Sequence, residues 1–380
     1  MIIHHSKSTW REKAKEVGEK LQPIAREVDK TGEYDPRALE LLIESKLIAP
    51  ILPEVYGGSG VCETECQDIM EEVCKANTSA GSMIACQLMA AYAFLSGASD
   101  DQKKLYLPKM AAGEIIGVPA ITEKDAGSDV SAIQMTAVRD GDDYILDGEK
   151  TLISFYGIAD IYVVFAKTNP EKKHKGISAF IVNSSNNGLE LTYRYNKMGQ
   201  RGMPTGSLQF RSCRIPAKDL IGSEGEGFKI AMELLNRSRI LMASQAIGIS
   251  MAAYEAAVDY ATKRKTFGNS LSSHQVIAFK LADMAIGLKT ARLAAQEAAI
   301  KYEKGENYLM DVAVAKVYAS EVCQKIVNES LQIHGGIGYT TEYDIERLYR
   351  DSRIIELYGG ASEIQRLVIS RMILEDPKLM

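Results

Sequence analysis

Asp160-Ile161-Tyr162-Val163-Val164-Phe165-Ala166 and Ile177-Ser178-Ala179-Phe180-Ile181-Val182 are short β-rich runs in a chain whose apolar residues otherwise recur at helical spacing. Turn signals bound this region at Asp140-Gly141-Asp142, Asp147-Gly148 and Asn186-Asn187-Gly188. The period changes near Ile115 and changes back after Pro216. These shifts predict a compact antiparallel β domain of about 100 residues set between two helical segments.

On the N-terminal side, Trp10, Ala14, Val17, Leu21, Ile24 and Val28 predict an amphipathic helix that ends before Thr31-Gly32. Pro53 to Gly60 is a loop by composition, and the nearly uncharged run from Ala80 to Leu95 predicts a buried helix. On the C-terminal side, helical period runs over 228–266, 273–303, 308–334 and 340–358, which suggests a four-helix bundle. The expected class is mixed α and β: an N-terminal helical domain at 1–114, a central β domain at 115–225 and a C-terminal bundle at 226–380.

The chain has 380 residues, 46% of them apolar, enough to bury a large core or several smaller ones. Its 45 basic and 50 acidic residues leave a formal charge of −5, which argues against nucleic acid or an anionic membrane as partner. Cys62, Cys66, Cys74, Cys86, Cys213 and Cys323 form no CxxC pairs, and Met1-Ile2-Ile3-His4-His5 opens no signal segment. Reduced thiols and a cytoplasmic setting are expected. No uninterrupted apolar run reaches the roughly 20 residues that span a bilayer. None of the histidines has metal-ligand spacing, so no metal is expected.

Near the end, Leu348 to Arg366 carries Tyr358-Gly359-Gly360, where a glycine pair interrupts two helical patterns. Such a corner admits a close backbone approach, and it also reads as an ordinary interhelix turn. Thr122 to Asp129 follows an apolar strand and can present N–H groups to an anion, or form a plain turn. Arg264-Lys265-Thr266-Phe267-Gly268 follows a long helix; Arg264 suits a phosphate, and equally complements the helix dipole. His334-Gly335-Gly336-Ile337-Gly338 contains a GxG after a helix instead of a strand, so a dinucleotide-fold reading fails.

Taken in order, Ile121 to Asp129, Gly148 to Ser154, Lys197 to Arg201, Gly225 to Phe228, Arg264 to Gly268, Gln332 to Gly338 and Tyr358 to Arg366 resemble the acyl-CoA dehydrogenases over essentially the whole chain. The resemblance implies a helical domain, a central β-barrel and a four-helix bundle. It also implies FAD, held between subunits of a homotetramer. Ile121, Thr122, Gly127, Ser128 and Ser154 would contact the flavin or its phosphates, with Tyr358 and Glu363 nearby and Leu152 where the family usually stacks a tryptophan. Arg264, Phe267, Gln275, Gln332, Gly335 and Gly336 would reach the flavin of a neighbouring subunit. Arg239 resembles the arginine near bound coenzyme A, beside Asn236 where an aspartate is usual.

Most family members place a catalytic glutamate directly after the corner tyrosine, and a minority place it just before the arginine. Those positions are Gly359 and Ser238 here. Together with Tyr358 and Arg239 they would meet the substrate. The Gly359 N–H is expected to polarise a thioester oxygen, an oxyanion-type contact that needs no side chain. The base is unassigned, with Cys86 its only candidate. The expected function is a FAD-dependent oxidoreductase acting on CH–CH groups of an acyl-CoA or acyl-carrier-protein thioester, by a non-standard dehydrogenation such as 1,4-elimination from a cyclic or unsaturated acyl-CoA. An enoyl-thioester reductase and a lyase acting on a β-substituted acyl-CoA are the alternatives. Electron-transferring flavoprotein is the partner the family suggests. Gly359→Glu is expected to restore ordinary α,β-dehydrogenation.

Overall fold

A computed structural model describes residues 7–376; the opening residues read for a targeting segment lie outside them. The N-terminal helices are α1 (Lys7–Thr31), α2 (Pro36–Glu44), α3 (Glu63–Ala76), α4 (Thr78–Gly97) and α5 (Asp100–Ala112). The Asn77 side chain starts α4 by accepting from the Ala80 N–H at 3.1 Å, and the uncharged run then continues buried.

The strands are β1 (Gly117–Ala120), β2 (Thr136–Asp140), β3 (Asp143–Ser154), β4 (Ile161–Lys167), β5 (Ile177–Asn183), β6 (Leu189–Arg194), β7 (Thr205–Pro216) and β8 (Leu220–Ile221). They form a single sheet in the order β6-β7-β3-β2-β4-β5-β8, with β1 beside β4. Most pairs are antiparallel as expected, but β1 runs parallel to β4 and β2 meets β4 in parallel at Thr136 and Lys167. The β2–β3 hairpin intervenes between β1 and β4, so the chain re-enters beside β1 in the same direction.

The rest of the chain contains α6 (Gly227–Lys263), a hairpin of β9 (Lys265–Thr266) and β10 (Asn269–Ser270), then α7 (Gln275–Glu303), α8 (Leu309–His334), α9 (Ile345–Ser352) and α10 (Ser362–Glu375). The helix read over 340–358 is corrected. Thr340 accepts from Glu342 N–H and donates to Ile337 carbonyl, side-chain bonds that compete with helix. Only α9 and a 3-10 turn at Arg353–Glu356 form before the corner, and α10 packs on α8 beyond it.

Two apolar clusters form the interior, one joining the N-terminal helices to the sheet and one inside the bundle. Ile230, Ala231, Leu234 and Leu241 of α6 belong to the first, while Ile240, Met242 and Ala246 belong to the second. A single helix of 37 residues therefore ties the two together. By length and composition α4 and α6 could cross a membrane, contrary to the expectation from run length, yet 72% and 78% of their apolar windows are buried within the protein. They are core helices here.

Candidate functional site

The corner is built from backbone outward. Leu357 and Tyr358 N–H groups both donate to Ile354 carbonyl, at 2.9 and 3.0 Å, closing the 3-10 turn. Gly359 and Gly360 then take φ of +62° and +88°, a region costly for side-chain-bearing residues. The Ala361 carbonyl accepts from the Ile364 and Gln365 N–H groups to open α10. Two side chains hold the turn by its carbonyls: Lys316 Nζ donates to Gly360 O at 2.8 Å, and Gln365 Nε2 donates to the same oxygen at 2.9 Å.

Lys316 is fully buried on α8. Burial, reinforced by the nearby Arg239 cation, pulls its pKa down to about 8. Arg239 on α6 is also buried, donates to Asn236 Oδ1 at 2.8 Å, and leaves its Nε without a partner. Burial lowers this guanidinium to about 10. Two buried cations thus lie on the bundle side of the corner, with the Glu356, Glu363 and Glu321 carboxylates also acting on Lys316.

Tyr358 points its hydroxyl inward to donate to Gln245 Oε1. Gln245 Nε2 donates to Ser82 Oγ at 2.8 Å, and Ser82 donates to Gln200 Oε1 at 2.6 Å. Gln200 in turn gives its N–H to the Asp351 carboxylate. This chain joins α4, the loop after β6, α6 and the corner.

The sheet supplies the opposite wall. Ile121, Thr122, Gly127 and Ser128 lie on the loop after β1, and Leu152 and Ser154 on β3. The Thr151 N–H donates to Thr122 O at 2.8 Å and holds the two segments together. Beneath them Lys150, fully buried, donates to Glu123 Oε1 at 2.7 Å and Ile121 O at 3.0 Å. Glu123 also accepts the Gln134 and Met135 N–H groups, so the loop is braced from both sides. Leu152 is 59% exposed at φ +58°, and a β-carbon on Gly127 would meet nothing within 4 Å. An apolar platform beside an open glycine loop fits a flat ring system with a phosphate tail.

Cys86 of α4 lies beside Ser154 and in the field of Lys197. It also lies near the Tyr358 hydroxyl and so links this wall to the corner. Burial raises the thiol to about 11, so near neutral pH it is a protonated thiol and a poor base. The Ser238 hydroxyl donates back to Leu235 O at 2.9 Å. Glu363 is exposed on the first turn of α10.

Arg264, Phe267, Gln275, Gln332, Gly335 and Gly336 gather elsewhere. They cluster where α6 and α8 end and α7 begins, with Tyr260 stacked on His334 at 4.5 Å between ring centres. Arg264 is about 33 Å along α6 from Met242, at 1.5 Å per residue. Phe267 is 97% exposed, and β-carbons on Gly335 and Gly336 would meet nothing within 4 Å. The site residues form two groups at separate places on one chain.

Sequence reading missed Lys316, Gln245, Gln365 and Met242. Lys316 left a trace: it occupies the apolar side of α8 with Val312, Ala313, Ala319 and Cys323, where a lysine is out of place.

Family models described as acyl-CoA dehydrogenase match the chain at residues 6–114 (N-terminal domain), 119–213 (middle domain) and 225–374 (C-terminal domain). A 3-(aryl)acrylate reductase of Clostridium sporogenes is 40% identical over 358 residues, 94% of this chain and 95% of that protein. An acryloyl-CoA reductase (NADH) of Anaerotignum propionicum is 38% identical over 357 residues, 93% of this chain and 91% of that protein. A solved structure described as the electron transferring flavoprotein of Acidaminococcus fermentans superimposes with a TM-score of 0.96 at 36% identity, covering 99% of this chain and all of that one.

Proposed function

Since the chain belongs to the acyl-CoA dehydrogenase family, we propose that it reduces the Cα–Cβ double bond of an α,β-unsaturated acyl-CoA thioester. Members of this family are FAD-dependent oxidoreductases acting on CH–CH groups of thioesters. The exposed Leu152 platform and the braced loop at 121–128 fit that cofactor. FAD, when bound, supplies two-electron hydride exchange.

The observation that carries the direction is the likeness along nearly the whole chain to two acrylate-type reductases, and the corner fits a thioester held without a side-chain base. The corner presents backbone and two buried cations to the thioester but no carboxylate at position 359 or 238. A hydride added at Cβ leaves an enolate. The Gly359 N–H would donate to that oxyanion, and the Lys316 and Gln365 hydrogen bonds to the Gly360 carbonyl support the turn that carries it. Protonating an enolate at Cα is easy for water. A missing general base slows removal of the α-proton of a saturated thioester by a factor of about 10² to 10⁴ and slows the reverse protonation equally, so the direction is set by the electron supply. A 1,4-elimination needs another carboxylate over the ring, and α4, the helix that lines the acyl pocket by family resemblance, contains no Asp or Glu.

The proposal includes a homotetramer in a reducing, cytoplasmic setting, with electrons passing through a separate flavoprotein. The displaced cluster at Arg264 and Phe267 supports subunit sharing of the cofactor, and all six cysteines are unpaired. Dithionite-reduced holoprotein mixed anaerobically with crotonyl-CoA or cinnamoyl-CoA should reoxidise its flavin and yield the saturated acyl-CoA by mass spectrometry. Fast flavin bleaching by butyryl-CoA with no reoxidation by either enoyl thioester would reverse the proposed direction. Loss of a β-substituent without any flavin change would identify a lyase.

A further inference from the structure

A β-carbon built on Gly359 would lie 1.8 Å from Met242 Sδ and 2.5 Å from its Cε. A β-carbon there requires the Met242 thioether to swing aside, so the start of any side chain at 359 competes with it for one space. Met242 is 3% exposed and sits in the bundle core, one helical turn beyond Ser238 on the same face of α6. The two family base positions and Met242 therefore converge on one small volume.

We propose that Met242 is a specificity-determining residue that occupies the space of the absent carboxylate and keeps any side-chain base away from the α-carbon, so that the α-proton is exchanged with water in either direction. This inference rests on the reductase reading above and deepens it. A glycine at 359 by itself would leave a void that a swung-in acid could use. The thioether fills that void with a flexible, uncharged group that neither donates nor accepts a proton at the α-carbon. On this proposal Gly359→Glu alone has a smaller effect than a free corner would give, because the new side chain must first displace the Met242 thioether.

The first test is a stability cycle, which does not depend on the direction of catalysis. Gly359→Ala should lower Tm more in the wild-type background than in Met242→Ala. The strain of alanine at a positive φ is common to both backgrounds and cancels. Equal losses would overturn the proposal.

The second test reads anaerobic flavin reduction by butyryl-CoA in wild type, Gly359→Glu, Met242→Ala and the double variant. FAD content and thioester binding are checked in each. The double variant should gain about 10²-fold or more while each single variant gains less. A gain by Gly359→Glu alone equal to that of the double overturns the assignment. So does a double variant that binds FAD and thioester but gains nothing. Failure of wild type to reduce enoyl thioesters would refute the reductase reading and leave the stability cycle unaffected.

Discussion

At the residue scale, Lys316 links folding to function. Its amine is buried and its pKa is pulled down to about 8, below the value near 10.5 of an unfolded lysine. The folded protein therefore binds fewer protons than the unfolded chain between those two pH values, and stability from this group rises across that window. Below about pH 8 the full cost of a buried cation is present. Lys316→Met should accordingly compare best with wild type at pH 7 and lose ground by pH 10, measured as the difference in denaturant midpoints. The same variant should slow enoyl reduction about tenfold, because a hydrogen bond from a charged donor contributes roughly 1.5–3 kcal/mol and this one supports the turn that carries the oxyanion donor. Arg239 makes a second case. Its unpartnered Nε and buried fork predict that Arg239→Lys raises KM for the thioester while FAD content holds, since lysine lacks the planar fork.

At the element scale, the bonds from Gln200 through Ser82 and Gln245 to Tyr358 join segments far apart in sequence. Gln245→Leu removes a partner of the Tyr358 hydroxyl and of Ser82, at a cost of about 1–3 kcal/mol for any buried group left unpaired. A lower Tm together with a higher KM, both partly rescued by Gln245→Glu at acid pH, is the expected result. Much of this arrangement was legible in the order of residues. The change of period marked the sheet, and the uncharged run marked α4. Gly359-Gly360 marked the corner through the demand for positive φ. The fourth long helix was misread because Thr340 diverts backbone bonds that an apolar pattern does not reveal. Met242 was invisible for another reason: a methionine in an apolar stripe looks like any core residue, and its meaning depends on what packs across from it. The inert state of Cys86 likewise depends on burial that spacing does not report.

At the scale of the whole molecule, α7 presents an unpartnered apolar face. Val276, Phe279, Ile286, Leu293 and Ile300 recur at helical spacing and are 41–63% exposed. This face begins beside the displaced cofactor group at Gln275 and Phe267, which is what subunit association between copies of this chain requires. If the proposed tetramer uses this face, Phe279→Glu with Ile286→Glu should give smaller species by light scattering and release FAD in the same step. A tetramer that survives both changes places the subunit contact elsewhere.

Gly199 packs so tightly against the last turn of α9 at Arg350 and Asp351 that a β-carbon there would come within 2.4 Å of Arg350 O. The neighbouring Gln200 supplies its N–H to the buried Asp351 carboxylate. A chimera that imported the middle segment from another relative would have to bring a glycine and an amide donor at these two places, or it would wedge the modules apart and strand an acid in the interior. Modular swapping in this architecture is thus constrained at a seam of two residues, and that seam is where engineers should look first when a graft fails to fold.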